Sequence, residues 1–443
     1  MKYIFIFSLF AFAAQKSVAQ ITILQHVNVI DGTGHAVKPN QYVTITGDKI
    51  TVIGNQLNSV AAANAIRIDM TGKFIMPTII NTHGHLGNLK DTLTSPTNYT
   101  AANVRNQLLR YEQYGVAAIL SMGTEQPIGI ALRDSSREGL IPGATMYSAL
   151  YGFGVKNGLP PGSPKIYRPE SPEEAIKYVQ ELAPFKPDVI KMWVDDFWGQ
   201  FPTMKEEVYK AIISEAHKHG IRVASHVYHI ADARKLVAAG VDIFAHSIRD
   251  SALDDALIAA IKKKRIVYIP TLSLDEFAFI YQQDAPWIND PFFQSALEPG
   301  VLNMITNPAY KEKLSKNPVA QQEVAALQTA LNNLYKLYKA GVLIALGTDS
   351  GANPVRVQGF SEHMEMELLV KAGLTPLEAI TIATQNGARL LHINGETGTL
   401  EPGKKADFIV LDKNPAADII NTRTINAVWR NGVKVSDGPL GRQ

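Results

Sequence analysis

The sequence predicts an α/β protein: a (β/α)8 TIM barrel with a small β-sandwich accessory domain built from both termini. Three observations lead there. Eight short apolar runs alternate with helical patterns between residues 74 and 348. On either side, over residues 20–73 and 398–443, the texture changes to β runs joined by turn dipeptides, with no helical period. Lastly, polar residues of metal-binding type stand at the ends of several central runs. The barrel is therefore expected over residues 74–397. A doubly wound open sheet is the competing architecture, but no Gly-rich dinucleotide fingerprint follows any strand, and Gly152-Phe153-Gly154 lacks the third glycine.

The 443 residues suffice for one large domain and an accessory one. An apolar fraction of 46% against 19% charged residues argues against disorder. Basic residues number 43 and acidic residues 41; Lys2 and Lys16 are the charges within residues 1–19, so the remainder is neutral overall. That balance offers no footprint for nucleic acid or an anionic membrane. Met1-Lys2, the apolar block at 3–14 and Ser17-Val18-Ala19 follow the order of a secretory signal peptide, with cleavage expected after Ala19. The block is too short to span a bilayer. An exported protein, periplasmic or secreted and without a membrane anchor, is the expectation. Without cysteine there are no disulfides, thiolate ligands or lipidated cysteines.

Residues 21–24, 42–46 and 50–54 are β runs punctuated by Asp31-Gly32-Thr33-Gly34 and by Gly47-Asp48. Residues 406–411, 427–429 and 433–435, with the turn Asn431-Gly432, repeat that texture, so the two ends can pair. The eight barrel runs are 74–81, 116–120, 144–149, 188–194, 221–226, 241–246, 266–270 and 342–348. Helical stretches such as 99–114, 204–219 and 231–239 lie between them. Two connections exceed the usual length: the Gly- and Pro-rich 151–170, and 272–331, which carries Trp287, Phe292 and Phe293. Both are expected to stand over the catalytic rim as lids.

The first run leads into His83-Gly84-His85. Residues i and i+2 of a strand share a face, so these imidazoles can reach one point and suit Zn²⁺ or a similar ion. The same period places Lys191 with Val189 and Trp193, His226 with Arg222 and Ala224, His246 with Asp242 and Phe244, and Asp349 with Leu343, Ala345 and Gly347. A barrel gathers such groups on its C-terminal rim. His229 can be a ligand, a substrate contact or the start of the next helix. His217 and His219 point to different sides of a helix and read as surface. Asp349-Ser350-Gly351 has the form of an aspartic-protease triplet, but no second D-[ST]-G occurs.

In this order the residues resemble the amidohydrolase superfamily, specifically its imidazolonepropionase-like and Xaa-Pro dipeptidase-like hydrolases. There H-x-H follows strand 1, Lys stands on strand 4, His on strands 5 and 6, and Asp on strand 8. His83, His85, Lys191, His226, His246 and Asp349 fill the places. Gly32-Thr33-Gly34, Ala383-Thr384-Gln385-Asn386-Gly387-Ala388 and the segment 398–407 match landmarks outside the site. Two positions depart: the family usually has Gly after the proline and Asp two places before the first histidine, where this chain has Thr78 and Asn81.

The resemblance implies a hydrolase with two divalent ions, taken as Zn²⁺, bridged by Lys191 carboxylated by CO₂. Metal would activate water and polarise a carbonyl, with Asp349 as general base and then acid. An amide, either an N-acyl amino acid or dipeptide-like, is the expected substrate. Alternatives are a lactonase, esterase or phosphotriesterase on the same site, and a cyclic-amide (imidazolone-type) hydrolase, which usually works with one metal and without the lysine. A non-catalytic relative would typically have lost ligands. Tyr228 and Arg249 are expected on the rim as substrate contacts, Arg249 holding a free carboxylate through its guanidinium fork; the alternative for Arg249 is a structural pair with Asp250 or another acid. A small molecule is the expected partner, with self-association left open.

Overall fold

A computed structural model describes residues 20–57, 65–161 and 165–441. The signal peptide expected at 1–19 lies outside the described residues. Ile21–Val29 pairs antiparallel with Lys38–Thr46, which turns at Gly47 into Lys49–Gly54. Gly47 has φ +61°, a conformation that glycine adopts without a Cβ penalty. Ile66–Asp69 and Phe74–Pro77 run parallel to Ile21–Val29. Phe74–Pro77 then takes Phe408–Leu411 on its other side, followed by Ile425–Arg430 and Val433–Ser436. The two ends of the chain thus share one eight-stranded sheet. Its apolar cluster includes Leu24, Val43, Ile45, Ile75, Phe408 and Trp429.

One expectation is corrected here. The run 74–81 is not a single strand: Phe74–Pro77 joins the terminal sheet, and Ile79–Gly84 begins the central one. Pro77 has no amide hydrogen to continue a ladder, so the chain changes sheets at Pro77-Thr78.

The central strands are all parallel. Ile79–Gly84, Val116–Ser121 and Thr145–Ser148 form one group; Ile190–Trp193, Val223–His226, Ile243–Ala245 and Val267–Ile269 form another. Backbone bonds link the groups on one side, Asp188 N–H to Ser148 O (2.9 Å) and Phe153 N–H to Lys191 O (2.8 Å). On the other side, Tyr268 and residues 343–345 exchange bonds, while Thr82 N–H reaches Leu346 O (2.8 Å) and Thr348 N–H reaches His83 O (2.9 Å). Residues 342–348 are thus hydrogen-bonded on both sides, although they contribute single bridges rather than a regular strand.

Side-chain alternation sorts the central residues into two apolar clusters. Ile80, Val189, Ala224, Ile243, Val267, Ile269 and Ala345 make the inner one. Ile79, Ile190, Met192, Val223, Phe244, Tyr268 and Ile344 face outward to pack with helical residues such as Leu108, Val179, Ile212 and Leu334. This is the period-two pattern of strands covered on one face by helices. Segment 272–331 is not an open loop. It contains the helices Leu272–Phe277, Pro291–Gln294, Val301–Thr306 and Pro308–Ser315, and runs into Pro318–Ala340. Three of them start with proline behind a capping Asp290, Asn307 or Asn317. Among the described residues no helix is long and apolar enough to cross a membrane.

Candidate metal centre

The six residues with metal-binding chemistry line one cavity of about 480 Å³, at the C-terminal ends of the parallel strands. His85 Nε2 lies 2.8 Å, and His83 Nε2 3.2 Å, from Asp349 Oδ1. Lys191 Nζ is 3.5 Å from His83 Nε2. The His246 ring stands 4.5 Å from that of His83 and 4.3 Å from that of His226, centre to centre.

Strand parity explains three placements. Val189, Ala224 and Ala345 face the inner cluster, so Lys191 and His226 continue their faces inward, and Leu343, Ala345 and Gly347 lead to Asp349. His246 corrects the expectation. It shares parity with Phe244, which faces the helices. It reaches the cavity because its backbone turns into positive φ, +95°. Thr271, also at positive φ, hydrogen-bonds His246 Nδ1 at 2.8 Å. Asp349 is a further left-handed residue, φ +57°. Histidine and aspartate enter this region more readily than most residues, whereas a β-branched threonine there is a genuine outlier, and such outliers cluster at functional sites. For the first pair, register irregularities in Ile79–Gly84 interrupt simple alternation.

Burial governs the charges. His83 is driven down to about 3, first by desolvation and then by the Lys191 charge; His226 and His246 are also lowered, with burial as the main cause. Neutral imidazole is the form that offers a lone pair to a metal. Burial pushes Lys191 down to about 7. Burial pushes Asp349 up, but Arg356 beside Oδ2, with His85 and His83 on Oδ1, outweighs it and holds the carboxylate well below its ordinary range.

The amidohydrolase family matches residues 74–435. The chain belongs to that family. Ochratoxinase of Aspergillus niger is 25% identical over 96% of this chain and 88% of its own length. A Bifidobacterium longum protein provisionally named a prolidase has the same fold at a TM-score of 0.78, with 25% identity over 96% of this chain and 97% of the other. A Xaa-Pro dipeptidase with methionine in its active site aligns at 0.73, with 22% identity over 94% and 99%.

The donor set of this amidohydrolase fits metal. His83, His85 and Asp349 each offer an atom within 4.8 Å of the others. His83 Nδ1 is buried without a hydrogen-bond partner, and Lys191, His226 and His246 line the same cavity. A second cluster, Asp195, Asp196 and His229, also satisfies the spacing. There the groups answer one another: Asp195 Oδ2 lies 2.8 Å from His226 Nε2, while His229 stands 3.3 Å from both Asp196 and Asp250. His217 and His219 lie on the surface against Asp242 and Glu215.

Tyr228 and Arg249 both line the cavity, the guanidinium 4.5 Å above the ring. Arg249 Nε lies 2.9 Å from Asp275 Oδ1 and 3.7 Å from Glu323 Oε2, without the alignment of a hydrogen bond. It is an ion pair with two buried acids, the structural alternative weighed from sequence, although neither acid is Asp250. Sequence reading missed Asp195, Arg356 and Glu323. None stands in a motif, and Glu323 arrives from a helix 74 positions beyond Arg249.

Proposed function

We propose that this protein is a metal-dependent hydrolase that cleaves a carbon–nitrogen amide bond in an N-acyl amino acid or dipeptide-like substrate. The observation that carries the reading is that His83, His85, Lys191, His226, His246 and Asp349 line one cavity, with His83, His85 and Asp349 within 4.8 Å of one another. The cyclic order of parallel pairings supports a closed (β/α)8 barrel over 74–397, with 20–73 and 398–443 forming the accessory domain. The names of relatives, ochratoxinase and prolidase among them, support the amide class.

His83, His85 and Asp349 would hold one ion, and Lys191, His226 and His246 the second, with Lys191 offering ligand oxygens once carboxylated. When bound, such ions, taken as Zn²⁺, supply Lewis acidity toward a carbonyl oxygen and make hydroxide available near neutral pH. The chain does the rest. Asp349 takes a proton at its carboxylate and returns it to the leaving nitrogen. Arg356 fixes the carboxylate from Oδ2. Tyr228 offers a hydroxyl to the substrate from the rim, and Arg249 keeps that ring in place. The retained lysine disfavours the one-metal cyclic-amide alternative, whereas an ester or phosphotriester substrate would use the same groups. Export by a signal peptide at 1–19 belongs to the same proposal.

Metal analysis followed by matched panels of N-acyl amino acids, dipeptides, lactones and phosphotriesters tests it. Two ions per chain and preferential amide turnover are expected; turnover confined to lactones or phosphotriesters would overturn the amide reading.

A further inference from the structure

The Lys191 strand ends in a turn whose backbone is unusual. Phe197 and Trp198 are consecutive, bulky and left-handed, φ +50° and +57°. Non-glycine residues seldom adopt this region, and aromatic ones less than most. The apolar core does not account for them: both rings are half-buried, neither joins any of the three apolar clusters of the described residues, and beyond each other their ring partners are Phe201, at 6.2 Å from Phe197, and Tyr228. Both line the cavity instead. They stand edge to face at 4.5 Å, and Trp198 meets Tyr228 at 5.2 Å.

The turn is tied to the metal centre. Asp195 accepts the Phe197 N–H on Oδ1 (3.1 Å) while Oδ2 lies 2.8 Å from His226 Nε2. One carboxylate therefore sets both a histidine of the centre and the backbone that presents the rings. Trp193 extends the aromatic wall. Its ring is seated on Gly152, where a Cβ would approach to 2.2 Å.

We propose that the turn at 195–198 is a specificity element: Phe197 and Trp198 seat a planar, apolar substituent of the substrate beside the scissile bond. This deepens the amidohydrolase reading and rests on it for the position of that bond. Aromatic faces recognise planar groups by stacking and by excluding water, and a ring held by a fixed backbone loses little freedom on binding.

Binding can be read without turnover, by titrating benzoate and acetate calorimetrically into the metal-loaded protein. Wild type should bind benzoate at least about tenfold more tightly than acetate. Phe197→Asn and Trp198→Asn remove the rings but supply a residue that tolerates the left-handed backbone. In these variants the benzoate-to-acetate ratio should fall to within about threefold of unity, with metal content unchanged and Tm equal or higher. A wild-type ratio near one, or a ratio that survives both substitutions, overturns the proposal. So does a fall in Tm of both Asn variants, which would make the rings structural. If the ratio behaves as expected and no amide is hydrolysed, the specificity element stands and the amide reading fails.

Discussion

Asn81 donates from its side-chain nitrogen to Glu362 Oε1 across 2.6 Å, in a fully buried network beneath the histidine pair. The same carboxylate oxygen accepts from Thr348 (2.8 Å) and Ser350 (2.8 Å), and Asn81 Oδ1 accepts the His83 N–H at 2.9 Å. The departure from the usual family residue thus has a partner: an aspartate at 81 would set two buried carboxylates against each other. Burial already raises the Glu362 carboxyl.

Asn81→Asp should therefore destabilise the fold by about 2–4 kcal/mol at neutral pH. A carboxyl raised in the folded state favours its protonated form, so stability is lost as pH rises through the folded value. The penalty should be smaller near about pH 5 than near about pH 8. Denaturant unfolding at both values checks the sign, and adding Glu362→Gln should recover much of the loss. An Asn81→Asp protein as stable as wild type at high pH would show that the network does not select the amide.

Lys191 is 1% exposed and 3.5 Å from His83 Nε2. A free ammonium there would face any cation held by four histidines, whereas a carbamate would complete the ligand set. Isotope-labelled bicarbonate should give a carbamate carbon signal in wild type that is absent from Lys191→Met, and wild type should hold two metals. One ion per chain with an unmodified lysine would refute the binuclear reading.

Arg249→Ala should be costly for a structural reason. It strands Asp275 and Glu323, both at most 3% exposed, beside each other without their cation. Breaking a buried pair from one side costs about 3–5 kcal/mol. Burial raises Asp275 strongly, with Arg249 opposing it, so the variant should regain stability as pH falls and the acids become neutral. Adding Glu323→Gln should restore part of the loss. If Arg249→Lys, which keeps the charge without the fork, leaves kcat/KM for acidic substrates within twofold, bidentate recognition by Arg249 is ruled out.

These residues show where sequence was informative. His83 and His85 were legible as a compact motif; period two placed Lys191 and His226, whose strands run straight into the cavity, and Asp349, which follows a run held only by single bridges. It gave His246 the wrong face because the left-handed turn at φ +95° follows from tertiary bonding to Thr271, not from local propensity. The continuous apolar run 74–81 concealed a change of sheet, although Pro77 was its visible marker. In 272–331 three Asx-Pro helix starts, at Asp290-Pro291, Asn307-Pro308 and Asn317-Pro318, are local signals that the sequence carries openly. That Arg249 pairs with an acid was legible, but which acids was not, since Asp275 and Glu323 lie 26 and 74 positions away.

Asp349 is held at both of its carboxylate oxygens. Its Oδ1 faces His85 and His83 at 2.8 and 3.2 Å, and Arg356 lies against Oδ2. A carboxylate so placed has two possible jobs, ligand or proton carrier. Arg356 and the histidines stabilise its charged form, which suits a ligand, while its place at the cavity wall suits proton delivery. An amide must have its nitrogen protonated before it departs; an activated ester leaves without help. Asp349→Asn keeps the shape and one oxygen but cannot take up a proton at neutral pH. Amide hydrolysis should fall by roughly 10²–10⁴, the usual worth of general acid–base catalysis, and hydrolysis of an ester with a good leaving group should fall less. Parallel kinetics on an amide and its matched ester, with metal content measured on the same samples, decides between the roles. Equal losses with metal retained would remove proton return, loss of metal would make Asp349 chiefly a ligand, and undiminished amide turnover would take it out of the reaction.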